Sequence, residues 1–230
     1  MRSLLGIVGC MEPAIRKRSA PRRRGLRPRV ANHRTPRKDE ILDVAARLFA
    51  EHGYRAVSLL EIARAVQLSK TTLYHYFERK DEILGTVIVT TIRELNRFVA
   101  EAVPKELPAD RKLIAFMEAQ AEFFETHRTQ FQVLLTQFGS LTDPVTRDAA
   151  VEWRVKYENA IRSIVQEGVA SGTFCADKPD TVVRAVLAAL YWLVRWYRPG
   201  GARTACQIAR EYADLVLYGI AARAGSAKGG

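Results

Sequence analysis

The sequence predicts an all-α protein: a three-helix unit followed by a larger helical unit, about nine helices in all. Three observations predict it. Apolar residues recur at helical spacing from Ile41 onward, and no β-alternation appears after Asp81. Ser, Thr and Asp stand where helices would start, and Gly or Pro where they would stop. Apolar content of 48% is enough to fill a core in a chain of 230 residues.

The elements follow in order. Thr35 is an N-cap candidate and Pro36 suits the first helical position. Ile41, Ala45, Leu48 and Phe49 then share a face, and Gly53 can close the helix in a left-handed conformation. Ser58 and Glu61 form a capping box for a short second helix ending near Val66. "QLS" is a tight turn, and Ser69 caps a third helix from Lys70 to about Phe77. Further helices are predicted from Asp81 to Val103, Ala109 to His127, Thr129 to Phe138, Asp143–Pro144 to Ala170, and Lys178 to Tyr197. A last one, capped by Thr204 and Gln207, runs to about Ala221.

Charge divides the chain. Lys+Arg is 36 and Asp+Glu is 25, a net of +11. Residues 1–38 hold 12 basic residues against Glu12, so that segment carries the whole excess and the body is neutral. A basic arm suits a polyanion such as nucleic acid. The competing reading is a solvated tail, and the Arg-rich start also resembles a transit peptide, with Met11 an alternative start. The domain reading is a basic arm over 1–34, a reading unit over 35–80 and a helical body over 81–223. Three scattered cysteines, Cys10, Cys175 and Cys206, lack metal-ligand spacing and suggest buried thiols in a reducing, cytoplasmic compartment. No window reaches membrane-spanning length, and no membrane partner is expected.

The third helix carries the chemistry. At 100° per residue, Leu73 and Phe77 point to the core with Tyr76 beside them, Thr71 and His75 lie opposite, and Thr72 and Tyr74 flank those two. That outward face offers hydrogen bonds to base edges, with Lys70 and Lys80 placed for phosphate. Two short helices across a three-residue turn are the helix-turn-helix arrangement. An ordinary helical hairpin with an aromatic core would show much of the same pattern. Enzyme motifs are absent: the four His have no zinc spacing, and there is no G-x-S-x-G, Walker loop or dinucleotide fingerprint. Neither cofactor nor metal is expected.

"ILDVAARLFAEHGYRAVSLLEIARAVQLSKTTLYHYFERKDEIL" resembles the DNA-binding domain of the tetracycline-repressor (TetR) family of one-component bacterial regulators, over about residues 37–84. The resemblance rests on A-x-x-L-F-x-x-x-G-Y, on the I-A of the second helix and on S-K-x-T-L-Y-x-Y-F. It implies operator contacts from Arg37, Ser58, Ser69, Lys70, Thr71, Thr72, Tyr74, His75, Tyr76 and Lys80, and a packing role for Tyr54. Arg27, Arg29 and Arg34, with Arg37, would reach the minor groove. It implies further a homodimer through the last two helices, double-stranded operator DNA as partner, and a small-molecule effector that releases a repressor, here a hydrophobic or acyl-CoA-like one. Gln67 departs from the Gly usual in the turn. If the position needs a positive φ, Gln costs on the order of 1 kcal/mol.

Phe116, Gln120, Phe124, Trp153, Tyr157, Trp192, Arg195 and Trp196 are the candidates for an effector cavity, with plain core packing the competing reading of each. The eighth helix is apolar nearly all round, which suits burial on several sides. The alternative function is a sequence-tolerant nucleic-acid-binding protein acting through the arm.

Overall fold

The computed structural model describes residues 36–219. The arm over 1–34, Cys10, Met11, the Thr35 cap and the end of the last helix near Ala221 lie outside them. The described residues form nine α-helices and one 3-10 turn, with no strand among them. The first three are α1 (Pro36–His52), α2 (Leu59–Ala65) and α3 (Lys70–Tyr74). The rest are α4 (Lys80–Ala102), α5 (Ala109–Thr126), α6 (Arg128–Gln137), α7 (Pro144–Ala170), α8 (Pro179–Trp196) and α9 (Ala205–Tyr218).

α1 buries Ile41, Ala45 and Phe49 on one face and ends as Gly53 takes φ 80°, its N–H donating to the Phe49 carbonyl at 3.0 Å. Ser58 closes both halves of the capping box with Glu61, which starts α2. The chain then turns at Gln67, whose φ of 55° is the one positive value at a non-glycine among the described residues. Ala63, fully buried, lets α2 and α3 cross closely, and the Leu68 N–H donates to its carbonyl at 2.8 Å.

α3 is shorter than the sequence predicts. Past Tyr74 the backbone tightens: the N–H groups of His75 and Tyr76 donate three residues back, to Thr72 and Leu73. Phe77 still reaches the core beside Leu73, so the wheel's apolar side survives the change of backbone.

α4 is the spine and packs on α1, α5, α6 and α7. Its face of Ile83, Leu84, Ile88, Ile92, Leu95 and Val99 is buried. Gly85 permits the close pass of α7, where an added Cβ would stand 2.4 Å from Cγ2 of Thr146. At the far end of α7, the Phe174 ring lies over Gly168 and folds the next loop back onto the helix.

The buried stripe of α9 is Ala205, Cys206, Ile208, Ala209 and Ala213, and the small alanines let it lie close along α5. Tyr212 and Val216 are half-buried, while Leu215 and Tyr218 face outward. Cys206 is buried as expected, whereas Cys175 is exposed on the α7–α8 loop, where no helix covers it.

Candidate nucleic-acid interface and effector site

Ser69 caps α3 by accepting from the Thr72 N–H at 3.0 Å, and the two hydroxyls lie 2.7 Å apart. Both side chains are thus engaged within the helix start. Thr71, Tyr74 and His75 are exposed and make no side-chain hydrogen bond among the described residues. Lys70 stands 5.7 Å from the centre of the Tyr74 ring. Tyr76 is half-buried and packs on the core, so its ring faces only partly outward. The structure therefore gathers Lys70, Thr71, Tyr74 and His75 on one solvent-facing surface with free donors and acceptors.

Three predicted DNA contacts are otherwise occupied. Lys80 donates to the carbonyls of Tyr54 and Val57, at 2.8 and 2.7 Å, and its ammonium lies 4.2 Å from the centre of the Tyr54 ring. Two of its three N–H groups are committed to the α1–α2 loop. Burial holds its pKa below the usual lysine value, partly offset by Glu61. One N–H of the ammonium remains for another acceptor, while the other two brace the loop. Arg37 pairs with Glu40 and donates to the Val66 carbonyl at 2.7 Å, tying α1 to the end of α2. The Ser58 hydroxyl is consumed by the capping box and holds the Glu61 carboxyl below its usual pKa. The capping role of Ser58 was legible in the sequence, whereas those of Lys80 and Arg37 were not, because their acceptors include main-chain carbonyls distant in the chain. Tyr54 packs edge-on against Phe49 at 5.5 Å, as the resemblance implies.

The effector candidates fall into two groups. Phe116, Gln120, Phe124 and Tyr157 meet inside the body, where the Phe116 and Tyr157 rings lie 5.2 Å apart. The Tyr157 hydroxyl donates to the Gln120 side-chain carbonyl, and the Gln120 amide nitrogen has no partner among the described residues. Phe131 of α6 joins this cluster against Phe124, and Tyr191 of α8 closes it against Phe131. Burial drives the Tyr157 hydroxyl well above its usual pKa and that of Tyr191 to about 12. Trp153 is half-buried at the edge, with the Lys156 ammonium 4.4 Å over its ring.

Trp192, Arg195 and Trp196 do not join them, which corrects the single-cavity expectation. Trp192 is 63% and Trp196 39% exposed, on the side of α8 away from Val186, Leu190 and Leu193. Sharing a face by i,i+4 spacing fixed their common direction but not which way that face points. A separate cavity of about 410 Å³ lies where α5, α7, α8 and α9 approach the α7–α8 loop, lined by Leu113, Val165, Phe174, Cys175 and Val216 among others. None of the eight candidates lines it.

Comparisons with known proteins agree with this architecture. The family profile described as bacterial regulatory proteins, tetR family, matches residues 41–87, and the tetracyclin repressor-like C-terminal domain matches residues 106–220. The transcriptional repressor KstR2 of Mycolicibacterium smegmatis is 30% identical over 85% of this chain and 96% of its own length. Among solved structures, the regulator PfmR of Thermus thermophilus superposes with a TM-score of 0.74 at 38% identity, over 80% of this chain and all of that one. The ketosteroid transcriptional regulator KstR2 of Mycobacterium tuberculosis superposes at 0.75 with 28% identity, over 84% of this chain and all of that one. With both halves matched and the reading helix in place, the chain belongs to the TetR family of DNA-binding transcriptional regulators.

Proposed function

We propose that the protein is a homodimeric repressor that reads its operator through Lys70, Thr71, Tyr74 and His75 and leaves DNA when an apolar effector enters the core around Gln120 and Tyr157. The observation that carries the reading is the exposed polar face of α3 and its C-cap, whose Thr71, Tyr74 and His75 make no side-chain hydrogen bond among the described residues. Ser69 and Thr72 shape the start of that helix, and Lys70 supplies charge for phosphate. Trp192, Trp196, Leu215 and Tyr218 give α8 and α9 an exposed apolar side that supports pairing of two chains. A dimer would present two reading faces at a separation near one or more DNA turns, about 34–36 Å each. The aromatic lining of the core supports a hydrophobic or acyl-CoA-like effector, and the relative described as a ketosteroid regulator favours the apolar class.

Release follows if the effector binds better to a conformation whose reading faces are wrongly spaced. The test is selection of operator fragments from genomic DNA, followed by titration at two salt concentrations with and without residues 1–34. Sequence-specific binding that survives removal of the arm supports the regulator. Binding that vanishes with the arm and ignores sequence would return the function to the arm-driven alternative. A Tyr74→Ala/His75→Ala double variant should lose at least tenfold in operator affinity and discriminate less between operators. Unchanged affinity would refute the assigned face.

A further inference from the structure

We infer that Gln120 and Tyr157 form a neutral clamp for a carbonyl oxygen on an otherwise apolar effector; the inference rests on the effector reading of the core. Both side chains are 1% exposed, one on α5 and one on α7. Together they carry three hydrogen-bond donors, two on the amide nitrogen and one on the hydroxyl. Their mutual bond uses one. Turning the amide over changes which atom is the donor but not the tally: two donors stay unmatched in either orientation. The nitrogen as placed has no partner among the described residues.

Buried donors of this kind call for an acceptor. The surroundings say which sort. Phe116, Phe124 and Phe131 are fully buried neighbours without a polar atom. The charged groups acting nearby, Glu158 and Arg154, bear on Tyr191 at the edge and not on Tyr157. A carboxylate in this place would lack a cation, and a hydrocarbon would leave the donors unpaired. With the amide turned over, one Gln120 N–H and the Tyr157 O–H are free together, and a neutral carbonyl oxygen brings two lone pairs to those two donors. Ketones and thioesters share that group. The tyrosine hydroxyl, held protonated by burial, keeps the donor count constant across ordinary pH.

Calorimetric titration of the full-length protein with two matched pairs tests the clamp. Decanoyl-CoA is compared with S-decyl-CoA, which has a methylene in place of the thioester carbonyl. 2-Decalone is compared with decalin. The carbonyl-bearing member of at least one pair should bind roughly ten- to hundredfold tighter, the usual effect of leaving buried donors unpaired; the pair that discriminates identifies a thioester or a ketone source. In Gln120→Leu/Tyr157→Phe that ratio should fall to within about twofold, with the melting temperature held or raised. If the double variant does not fold, Gln120→Met carries the same comparison. Equal binding of both members to the wild type overturns the clamp and leaves the effector site standing. A ratio that persists in the folded variant also overturns it, because another group then reads the carbonyl. Failure of every probe to bind overturns the clamp and the effector reading together.

Discussion

At Gln67 a single side chain works against its backbone. A left-handed φ costs a non-glycine residue about 1–2 kcal/mol, and the extra freedom of glycine in the unfolded chain takes back about 0.4–1. Gln67→Gly should therefore stabilise the protein by up to about 1 kcal/mol, read as a rise of about 2–4 °C in calorimetric melting temperature. No rise would mean that the exposed Gln side chain compensates for its backbone. Lys80 and Lys70 make a contrasting pair. Lys80→Met removes two hydrogen bonds to main-chain carbonyls and should cost about 1–3 kcal/mol of stability, with the salt slope of operator binding nearly intact. Lys70→Met should leave stability unchanged and flatten that slope by about one, since each phosphate contact releases its own counterion. Chemical denaturation and salt titration separate the two. The sequence motif made these lysines look alike, and only the position of the Tyr54 and Val57 carbonyls tells them apart.

Among the elements, α6 touches both functional regions. Phe131 points inward to Phe124 and Tyr191. On its other side, Gln130 donates to Asp43 at 3.1 Å and Gln132 to the Ala50 carbonyl at 3.1 Å, while Gln137 accepts from the Tyr54 N–H at 3.3 Å. α4 follows the reading unit directly and packs on α1, which makes it the first candidate for a lever between the two regions. The glutamine seam was illegible, since its partners are more than 80 positions away in the chain. Gln132→Ala/Gln137→Ala should leave effector affinity within about twofold and weaken the effector's power to release DNA, a loss of coupling of order 1 kcal/mol. Undiminished release would return the lever to α4 alone. What was legible is what local chemistry writes plainly: the Ser58–Glu61 and Thr204–Gln207 capping boxes, the Gly53 stop and the Asp143–Pro144 start all occur where residue type demands them. The premature end of α3 was not, because Phe77 satisfies the apolar spacing in either backbone.

For the whole molecule, oligomeric state is the prediction with the widest reach. Trp192 and Leu215 are 63% and 48% exposed on neighbouring helices, which makes them the place to test the proposed seam. Trp192→Glu/Leu215→Glu should sediment as a monomer and lose operator affinity by well over tenfold, because the second reading face is no longer tethered. A variant that stays paired would place the seam elsewhere. Here the sequence indicated burial on several sides of α8 but assigned its tryptophans to the wrong compartment. Periodicity gives angles around one helix; which neighbour lies at each angle depends on packing of α5 and α9, set by the alanine stripe. The exposed thiol of Cys175 has a practical consequence. In a chain trimmed of residues 1–34, which removes Cys10, it is the one sulfhydryl that a bulky maleimide dye can reach, since Cys206 is covered. A fluorophore attached there would sit at the rim of the 410 Å³ cavity, so its emission would report any widening or closing of that opening.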